Sequence, residues 1–239
     1  MTVAPAPILL VTGLAREARV AGGVGIETIG AGGDPPRLRL MLAGEGAVYR
    51  AVISFGVAGG LDPGLAPGAV IVASGIVSGE KGWPADTEIS RRWAKRLAET
   101  GERVLTGTLA GAETAILDIA GKQSLRAKTG AAAVDMESHV AAAFAAAHRL
   151  PFGAIRVVCD PAGRALPPLA AEALRPNGGL DLPAILRSLV RRPTQLVTLP
   201  GLARDAAKAV AALGRVRASL GPGFGLGGLR LDEPFGDVL

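Results

Sequence analysis

The feature that most limits the fold of this chain is a series of short apolar runs, each ended by glycine or a polar residue. The first is Ile8–Val11, and the others are Ala51–Phe55, Gly68–Ser74, Arg103–Leu109 and Phe152–Val158. Runs of this length bounded by turn residues are typical of buried strands. Helical segments separate several of them. This alternation predicts an α/β fold in three layers, with a central mixed, largely parallel sheet flanked by helices.

Two further segments complete the prediction for the first part of the chain. Arg39–Leu42 is predicted to be another strand. The Ala-rich stretch Ser138–His148 is predicted to be a helix, because alanine has the highest helix propensity and no Gly or Pro interrupts it. Pro151 follows and ends it.

The last part of the chain has a different character. Residues 164–183 are rich in Pro and Gly, which predicts an extended loop or lid. Two helices are expected within Leu182–Leu220, divided near Pro193 and Pro200. Gly221–Leu239 is expected to be irregular. We interpret residues 1–239 as a single domain, with a Pro-rich loop and helical C-terminal extension from about residue 164.

Composition excludes several classes of protein. Hydrophobic residues make up 49% of the 239 residues and charged residues 20%, which is enough for a core and argues against disorder. The net charge is +5, but the basic residues are scattered and aromatics are few, so no nucleic-acid partner is expected. The lone cysteine, Cys159, the lack of a signal-peptide pattern and the lack of a long apolar stretch predict a cytoplasmic protein.

Three motifs contain the candidate functional residues. The first, Ser54–Gly60, follows a strand with small residues that allow a ligand to approach the backbone, although an ordinary turn explains it equally well. In the second, Asp135 is interpreted as a helix cap, whereas Glu137 can accept hydrogen bonds from both hydroxyls of a ribose. Met136 is able to pack on the sugar, although core filling is the commoner role of a methionine.

The third motif ends in Cys159–Asp160–Pro161, at the carboxyl end of an apolar strand, where open α/β sheets bind ligands. A protonated Asp160 can donate to N7 of a purine and make the base a better leaving group. The alternative is that Asp160 caps the following turn. No metal is expected, because His139 and His148 have no ligand spacing with Cys159 or a carboxylate.

In this order and spacing, VAGGL, PGAVIVAS, VDMES and AIRVVCDPAG resemble the nucleoside phosphorylase/nucleosidase superfamily, which includes methylthioadenosine/S-adenosylhomocysteine nucleosidase. The chain is most similar to the hopanoid-associated phosphorylases. That closer similarity extends into Gly163–Pro168 and Arg192–Leu196. The resemblance implies cleavage of the N-glycosidic bond of adenosylhopane in hopanoid biosynthesis, with release of adenine. It also implies a homo-oligomer that needs no cofactor, with phosphate and water as the two candidate co-substrates.

The resemblance also implies roles for individual residues. Asp160 matches the catalytic acid at N7, Glu137 the ribose-binding glutamate and Met136 the methionine beside the sugar. The residues that match segments lining the sugar and base are Val57, Ala58, Gly59, Ala115 and Ile116. Ala115 stands where nucleosidases typically have Phe, which predicts a looser contact with the base.

The nucleophile is left open by the same comparison. Glu17 is the candidate for the glutamate that positions water in nucleosidases, but a gapless count from Gly13 puts Ala18 at that position. Phosphorylases hold phosphate with an Arg before the glycine turn and a Ser after it, where this chain has Ser54 and Val57. Arg16 and Ser54 are the replacement candidates for phosphate binding, and phosphorolysis is slightly favoured.

Two alternative functions remain open from the sequence. The protein could instead be a hydrolytic methylthioadenosine/S-adenosylhomocysteine nucleosidase, or it could bind nucleosides without catalysing a reaction. A separate question concerns the helix predicted around Leu186, Leu189 and Val190, whose basic face has Arg187, Arg191 and Arg192. It either lies on the inner membrane surface as a peripheral contact or packs on the core.

Overall fold

The computed structural model describes residues 5–46, 48–167 and 198–227. Eight strands and six α-helices in this part of the chain alternate much as the apolar runs predict. The strands are β1 Ile8–Thr12, β2 Ile26–Gly30, β3 Ala51–Gly60, β4 Val70–Ser78, β5 Lys81–Pro84, β6 Val104–Gly111, β7 Ala133–Asp135 and β8 Phe152–Asp160. The helices are α1 Ala15–Ala21, α2 Pro35–Ala43, α3 Thr87–Glu99, α4 Ile119–Thr129, α5 Ser138–Ala147 and α6 Leu199–Leu220.

The strands form one mixed sheet in which most pairings are parallel. β2, β1, β3 and β8 follow one another in parallel, and β4, β6 and β7 do the same. β8 pairs antiparallel with β4, and β7 pairs antiparallel with the end of β3. The strands β3, β8, β4, β6 and β7 therefore close into a ring. The predicted three-layer α/β fold is confirmed, with this closure added to it.

One strand prediction is wrong. Arg39–Leu42 belongs to α2, which begins after Asp34. The Asp34 side chain accepts a hydrogen bond from the backbone N–H of Arg37 at 3.0 Å, and Pro35 occupies the first turn, where its missing N–H costs nothing. These signals for the start of a helix lie upstream of the apolar residues. The four-residue apolar run, taken alone, was therefore interpreted as a strand although it belongs to a helix.

Two strands extend beyond the predicted runs and carry motif residues with them. β3 continues from Phe55 through the glycine-rich motif to Gly60, and β8 continues to Asp160. Their register shifts at the end, because Ala58 pairs with Val158 whereas Gly59 pairs with Asp160, so that Cys159 is the extra residue of a bulge. The carboxyl ends of β3 and β8 therefore lie side by side.

Helices cover both faces of the sheet. On one face, α2 and α5 pack on apolar side chains of β1, β3 and β4, with Leu38 and Ala141 among the buried residues. On the other face, α1, α3 and α6 enclose a second cluster that includes Trp93 and Leu213. No helix in the described ranges is long and apolar enough to cross a bilayer.

The predictions for the C-terminal part are tested only where the chain is described. The lid after Pro167, the helix around Leu186 and the tail from residue 228 lie outside the described residues. α6 begins at Leu199, with Pro200 in its first turn. After it, a 3₁₀ turn at Pro222–Gly225 buries Phe224 completely against the rings of Phe55 and Trp93.

Substitution of Phe224 by alanine is expected to destabilise the fold without altering the site. The ring packs on Phe55 with centroids 5.4 Å apart, and the backbone carbonyl of Phe224 accepts a hydrogen bond from Trp93 Nε1 at 2.7 Å. Loss of the ring should lower the free energy of unfolding by about 3–5 kcal/mol, measured by urea denaturation. The matched control is Leu40→Ala, at a side chain that is 77% exposed. Equal midpoints for the two variants would contradict the anchoring role of Phe224.

Candidate active site

A cavity of about 390 Å³ opens where the carboxyl ends of β1, β3 and β8 meet the start of α5. This volume is in the range of about 300–1,000 Å³ typical of small-molecule sites. The cavity brings together residues from all three sequence motifs. Its lining residues are Gly13, Leu14, Glu17, Gly33, Val57, Ala58, Gly59, Thr114, Ala115, Ile116, Val134, Asp135, Met136, Glu137, Cys159, Asp160, Leu166 and Ala206.

Glu17 is fixed at one side of the cavity by backbone donors. Its Oε2 accepts hydrogen bonds from the N–H groups of Gly13 and Leu14 at 2.9 and 2.7 Å, and its Oε1 accepts one from Val57 at 2.7 Å. Burial raises the pKa of Glu17 above its ordinary value, although Arg156 and the backbone donors oppose the rise. The structure therefore places Glu17, and not Ala18, in the cavity.

Arg156 lies directly behind the cavity wall and is completely buried in β8. Its Nη2 donates to Ser54 Oγ at 2.8 Å, to Asp135 Oδ1 at 3.0 Å and to Ser138 Oγ at 3.0 Å. Its Nε and Nη1 have no hydrogen-bond partner within the part of the chain that the structure describes. Buried donors are rarely left unpaired, so these two nitrogens are exceptions to the usual pairing of buried polar groups.

Arg156 was not predicted from the sequence to belong to the site. The signal was a charged residue in the middle of the apolar strand Phe152–Val158, since arginine is seldom fully buried without partners. The expected position for an arginine was before the glycine turn, where Ser54 stands. β8 pairs with β3 and places Gly56 opposite Arg156, so the guanidinium reaches the same place from the neighbouring strand.

Glycine at two positions provides the space for the charged groups. A Cβ on Gly56 would lie 2.5 Å from Arg156 Nη1 and 2.7 Å from Glu17 Oε1. A Cβ on Gly13 would lie 2.6 Å from Glu137 Oε1. Real Cβ atoms do not approach other atoms this closely, so only glycine lets these side chains lie against the backbone.

The start of α5 places Asp135 and Glu137 together. Asp135 Oδ1 accepts hydrogen bonds from the N–H groups of Glu137 and Ser138 at 2.8 and 2.6 Å, as expected of a cap. Burial would raise the pKa of Asp135, but Arg156 and these donors hold it below its ordinary value. Burial raises the pKa of Glu137 to about 8, opposed by Arg156 and increased by the charges of Asp135 and Glu17.

Asp160 also lines the cavity and contacts a buried lysine. Lys122 of α4 is fully buried, and its Nζ donates to Asp160 Oδ2. Burial raises the pKa of Asp160, and the Lys122 ammonium opposes that rise. Lys122 was not predicted from the sequence, because it is far from all three motifs along the chain.

The candidate phosphate ligands are not brought to the cavity surface. Arg16 lies on the exposed face of α1 and does not line the cavity. Ser54 is completely buried behind the wall, where its Oγ contacts Ser138 and Arg156. No group of three or more His, Cys, Asp and Glu side chains in the described ranges is arranged to hold a metal ion.

A family comparison agrees with this geometry. The family described as "Phosphorylase superfamily" matches residues 38–190, which is more than half of the chain. The chain belongs to the phosphorylase superfamily. No curated protein sequence matches it significantly.

Solved structures similar to this phosphorylase-superfamily chain share its fold at low sequence identity. Futalosine hydrolase of Helicobacter pylori is 14% identical with a TM-score of 0.64, covering 90% of this chain and 97% of that one. The 5′-methylthioadenosine/S-adenosyl homocysteine nucleosidase of Campylobacter jejuni is 14% identical with a TM-score of 0.59, covering 87% and 99%. A single-residue mutant of the Helicobacter pylori nucleosidase, solved with 5′-methylthioadenosine in its active site, is 15% identical with a TM-score of 0.61, covering 90% and 99%.

The raised pKa of Glu137 predicts a pH-dependent cost in stability. The folded protein holds a proton on Glu137 that the unfolded chain has released, so this contribution is lost as the pH rises from 4.5 to about 8. Glu137→Gln has no such loss. Its stability relative to wild type should therefore increase by at least about 1 kcal/mol between pH 5 and pH 8.

Guanidinium denaturation curves at several pH values measure this difference. The matched control is Glu99→Gln, at an exposed glutamate of α3 whose pairing with Lys95 spans 3.9 Å. Its stability relative to wild type should not change over the same pH range. A constant difference for Glu137→Gln as well would show that burial does not raise the pKa of Glu137.

Proposed function

We propose that this protein cleaves the N-glycosidic bond of an adenine nucleoside. The observation that carries the proposal is the meeting of Glu17, Glu137 and Asp160, from three distant segments, around one cavity backed by Arg156. Membership of the phosphorylase superfamily supports the reaction class. The retained carboxyls argue against the alternative of a non-catalytic nucleoside-binding protein.

Departure of the base is assigned to Asp160. Its buried carboxyl has a raised pKa and is therefore able to hold a proton that an exposed aspartate would have lost. When the C1′–N9 bond breaks, its electron pair moves to the purine, and N7 takes the proton from Asp160. General acid catalysis of this kind contributes about 10²- to 10⁴-fold.

The sugar is assigned to Glu137 and Met136. Glu137 lines the cavity from the start of α5, with its Oε2 3.5 Å from Arg156 Nη2. Its two carboxyl oxygens can accept hydrogen bonds from two adjacent hydroxyls of a ribosyl ring, and Arg156 favours the ionised form against the effect of burial. Val57, Ala58 and Gly59 form the neighbouring wall and leave room for the ring to approach β3.

Water is the nucleophile that the charges favour. The described lining residues include four carboxyl side chains and no lysine or arginine, while the guanidinium of Arg156 is shared among Asp135, Glu137 and Glu17. The described lining therefore offers no exposed cation to a phosphate dianion, which proteins usually hold with arginine or lysine. A water molecule can instead donate to the carboxyl group of Glu17, which lines the cavity and whose Oε1 accepts a single backbone hydrogen bond.

We further propose that the 5′ substituent is apolar, with adenosylhopane as the substrate indicated by the sequence resemblance. Leu14, Ile116 and Leu166 give the cavity a largely apolar rim, which suits a hydrocarbon group better than a charged one. The rival substrates are methylthioadenosine and S-adenosylhomocysteine, supported by the printed names of the structural neighbours at 14–15% identity.

Hydrolysis is tested by release of adenine from both substrates with and without phosphate. The rate should be independent of phosphate, and the sugar product should be the free ribosyl sugar rather than its 1-phosphate. A rate that requires phosphate would overturn the choice of nucleophile and restore phosphorolysis. Comparison of kcat/KM for adenosylhopane and methylthioadenosine in the same assay decides the 5′ group, since a preference for methylthioadenosine contradicts the hopanoid assignment.

The proposed roles also predict the effects of single substitutions. Asp160→Asn and Glu17→Gln should each lower kcat by about 10²- to 10⁴-fold, because each removes a proton donor or acceptor. Arg16→Ala is the matched control on the exposed face of α1 and should retain full activity. Normal activity in Asp160→Asn would remove the acid assignment, whatever the nucleophile.

A further inference from the structure

Lys122 is a buried charge that the proposed reaction does not yet use. It lies in the second turn of α4, and its side chain has no solvent exposure. Lysine is almost never fully buried unless it is paired, because removal of an ammonium from water is costly.

All three N–H donors of the Lys122 ammonium are occupied. Nζ donates to Asp160 Oδ2, to the carbonyl of Pro161 at 3.1 Å and to the carbonyl of Arg164 at 3.0 Å. An ammonium has three donors and no acceptor. Lys122 is therefore held as a cation in one position, and it is not available as a nucleophile or a base.

This contact distinguishes the two oxygens of Asp160. Oδ2 accepts from the ammonium, so the proton that Asp160 donates belongs on Oδ1. When the Oδ1–H bond breaks and the N7–H bond forms, negative charge develops on the carboxyl group. The ammonium is already in place to stabilise that charge, which costs no reorganisation at the moment of reaction. After adenine leaves, Asp160 regains a proton from solvent.

Other charges near Asp160 are balanced by partners of their own. Arg164, in the following loop, pairs with Asp205 of α6, which Lys208 also approaches at 4.0 Å. Burial raises the pKa of the neighbouring Cys159 thiol to about 12, so the thiol stays neutral. Across the cavity, Arg156 is surrounded by its own acids, which are Glu17, Asp135 and Glu137. Within the described residues, Lys122 is thus the cation that forms an ion pair with Asp160.

We propose that Lys122 is a positioning residue for base departure, which orients Asp160 through Oδ2 and sets the upper pH limit of the reaction. This inference rests on the proposed role of Asp160 as the proton donor. With Lys122 present, Asp160 is a stronger acid and gives up its proton more readily, both to N7 and to solvent. Without it, Asp160 holds its proton to higher pH but donates it less effectively.

Kinetics across a pH range test this inference with three variants. Lys122→Met removes the charge, Lys122→Arg keeps it, and Lys208→Met removes an exposed lysine of α6 as the matched control. In Lys122→Met, the alkaline limit of kcat/KM should move up by about one to three pH units. Its kcat near neutral pH should fall by about tenfold or more. Lys122→Arg and Lys208→Met should keep the limit of the wild type.

A purely structural role for Lys122 gives a different pattern. It predicts lower stability or a smaller active fraction in Lys122→Met with the alkaline limit unchanged, and that result would overturn the proposal. If the methionine variant does not fold, Lys122→Gln replaces it, and an unchanged limit in that neutral variant has the same meaning.

A direct titration separates this inference from the proposed function. The protonation of Asp160 in the free enzyme is followed by the ¹³C shift of its carboxyl group, assigned by comparison with Asp160→Asn. The titration should move to higher pH in Lys122→Met whether or not adenine is released. Full activity in Asp160→Asn would refute the role of Asp160, whereas an unshifted titration would refute the role of Lys122.

Discussion

The arrangement of the site depends on one buried guanidinium. Arg156 lies in the middle of β8 and donates through Nη2 to Ser54 of β3 and to Asp135 and Ser138 at the start of α5. Its charge also favours the ionised forms of Glu17 and Glu137, against the effect of burial on their pKa values. Removal of such a charge would leave several acids buried without a counterion, which is expensive in a low-dielectric interior. The central strands and the side of the cavity formed by Glu17 and Glu137 are therefore organised around this side chain.

The sequence predicted the fold well because the apolar runs of β1, β3 and β8 are long enough to indicate buried strands. Arg39–Leu42 was misassigned because its start signals precede the apolar run, and four residues are too few to separate a helical period from a strand. The ring closure was beyond prediction, because β3 pairs with β8 through contacts about 100 residues apart in sequence. Such pairings are decided by tertiary packing rather than by local propensity.

Residues of the candidate site could be predicted where they lie in a sequence motif. They could not be predicted where only tertiary packing brings them to the site. Glu137 was proposed from its place before the Ala-rich helix and Asp160 from the end of an apolar strand, and the family resemblance implied a role for each. Lys122 comes from the side of a helix with no motif, and its role depends on the depth to which α4 packs. The alignment of Glu17 was ambiguous by one residue, and the three backbone donors that settle its position exist only in the folded loop.

Closure of the strand ring also limits the number of unpaired strand edges through which this protein could aggregate at high concentration. Within the described residues, only β2 and β5 leave one side unpaired, and both are short. β2 presents Glu27 to solvent, and β5 presents Lys81 and ends at Pro84. Short strands with charges and proline resist pairing with another chain, which is how natural sheets avoid edge-to-edge aggregation. The long, apolar strands that build the cavity are thus kept away from any growing cross-β assembly.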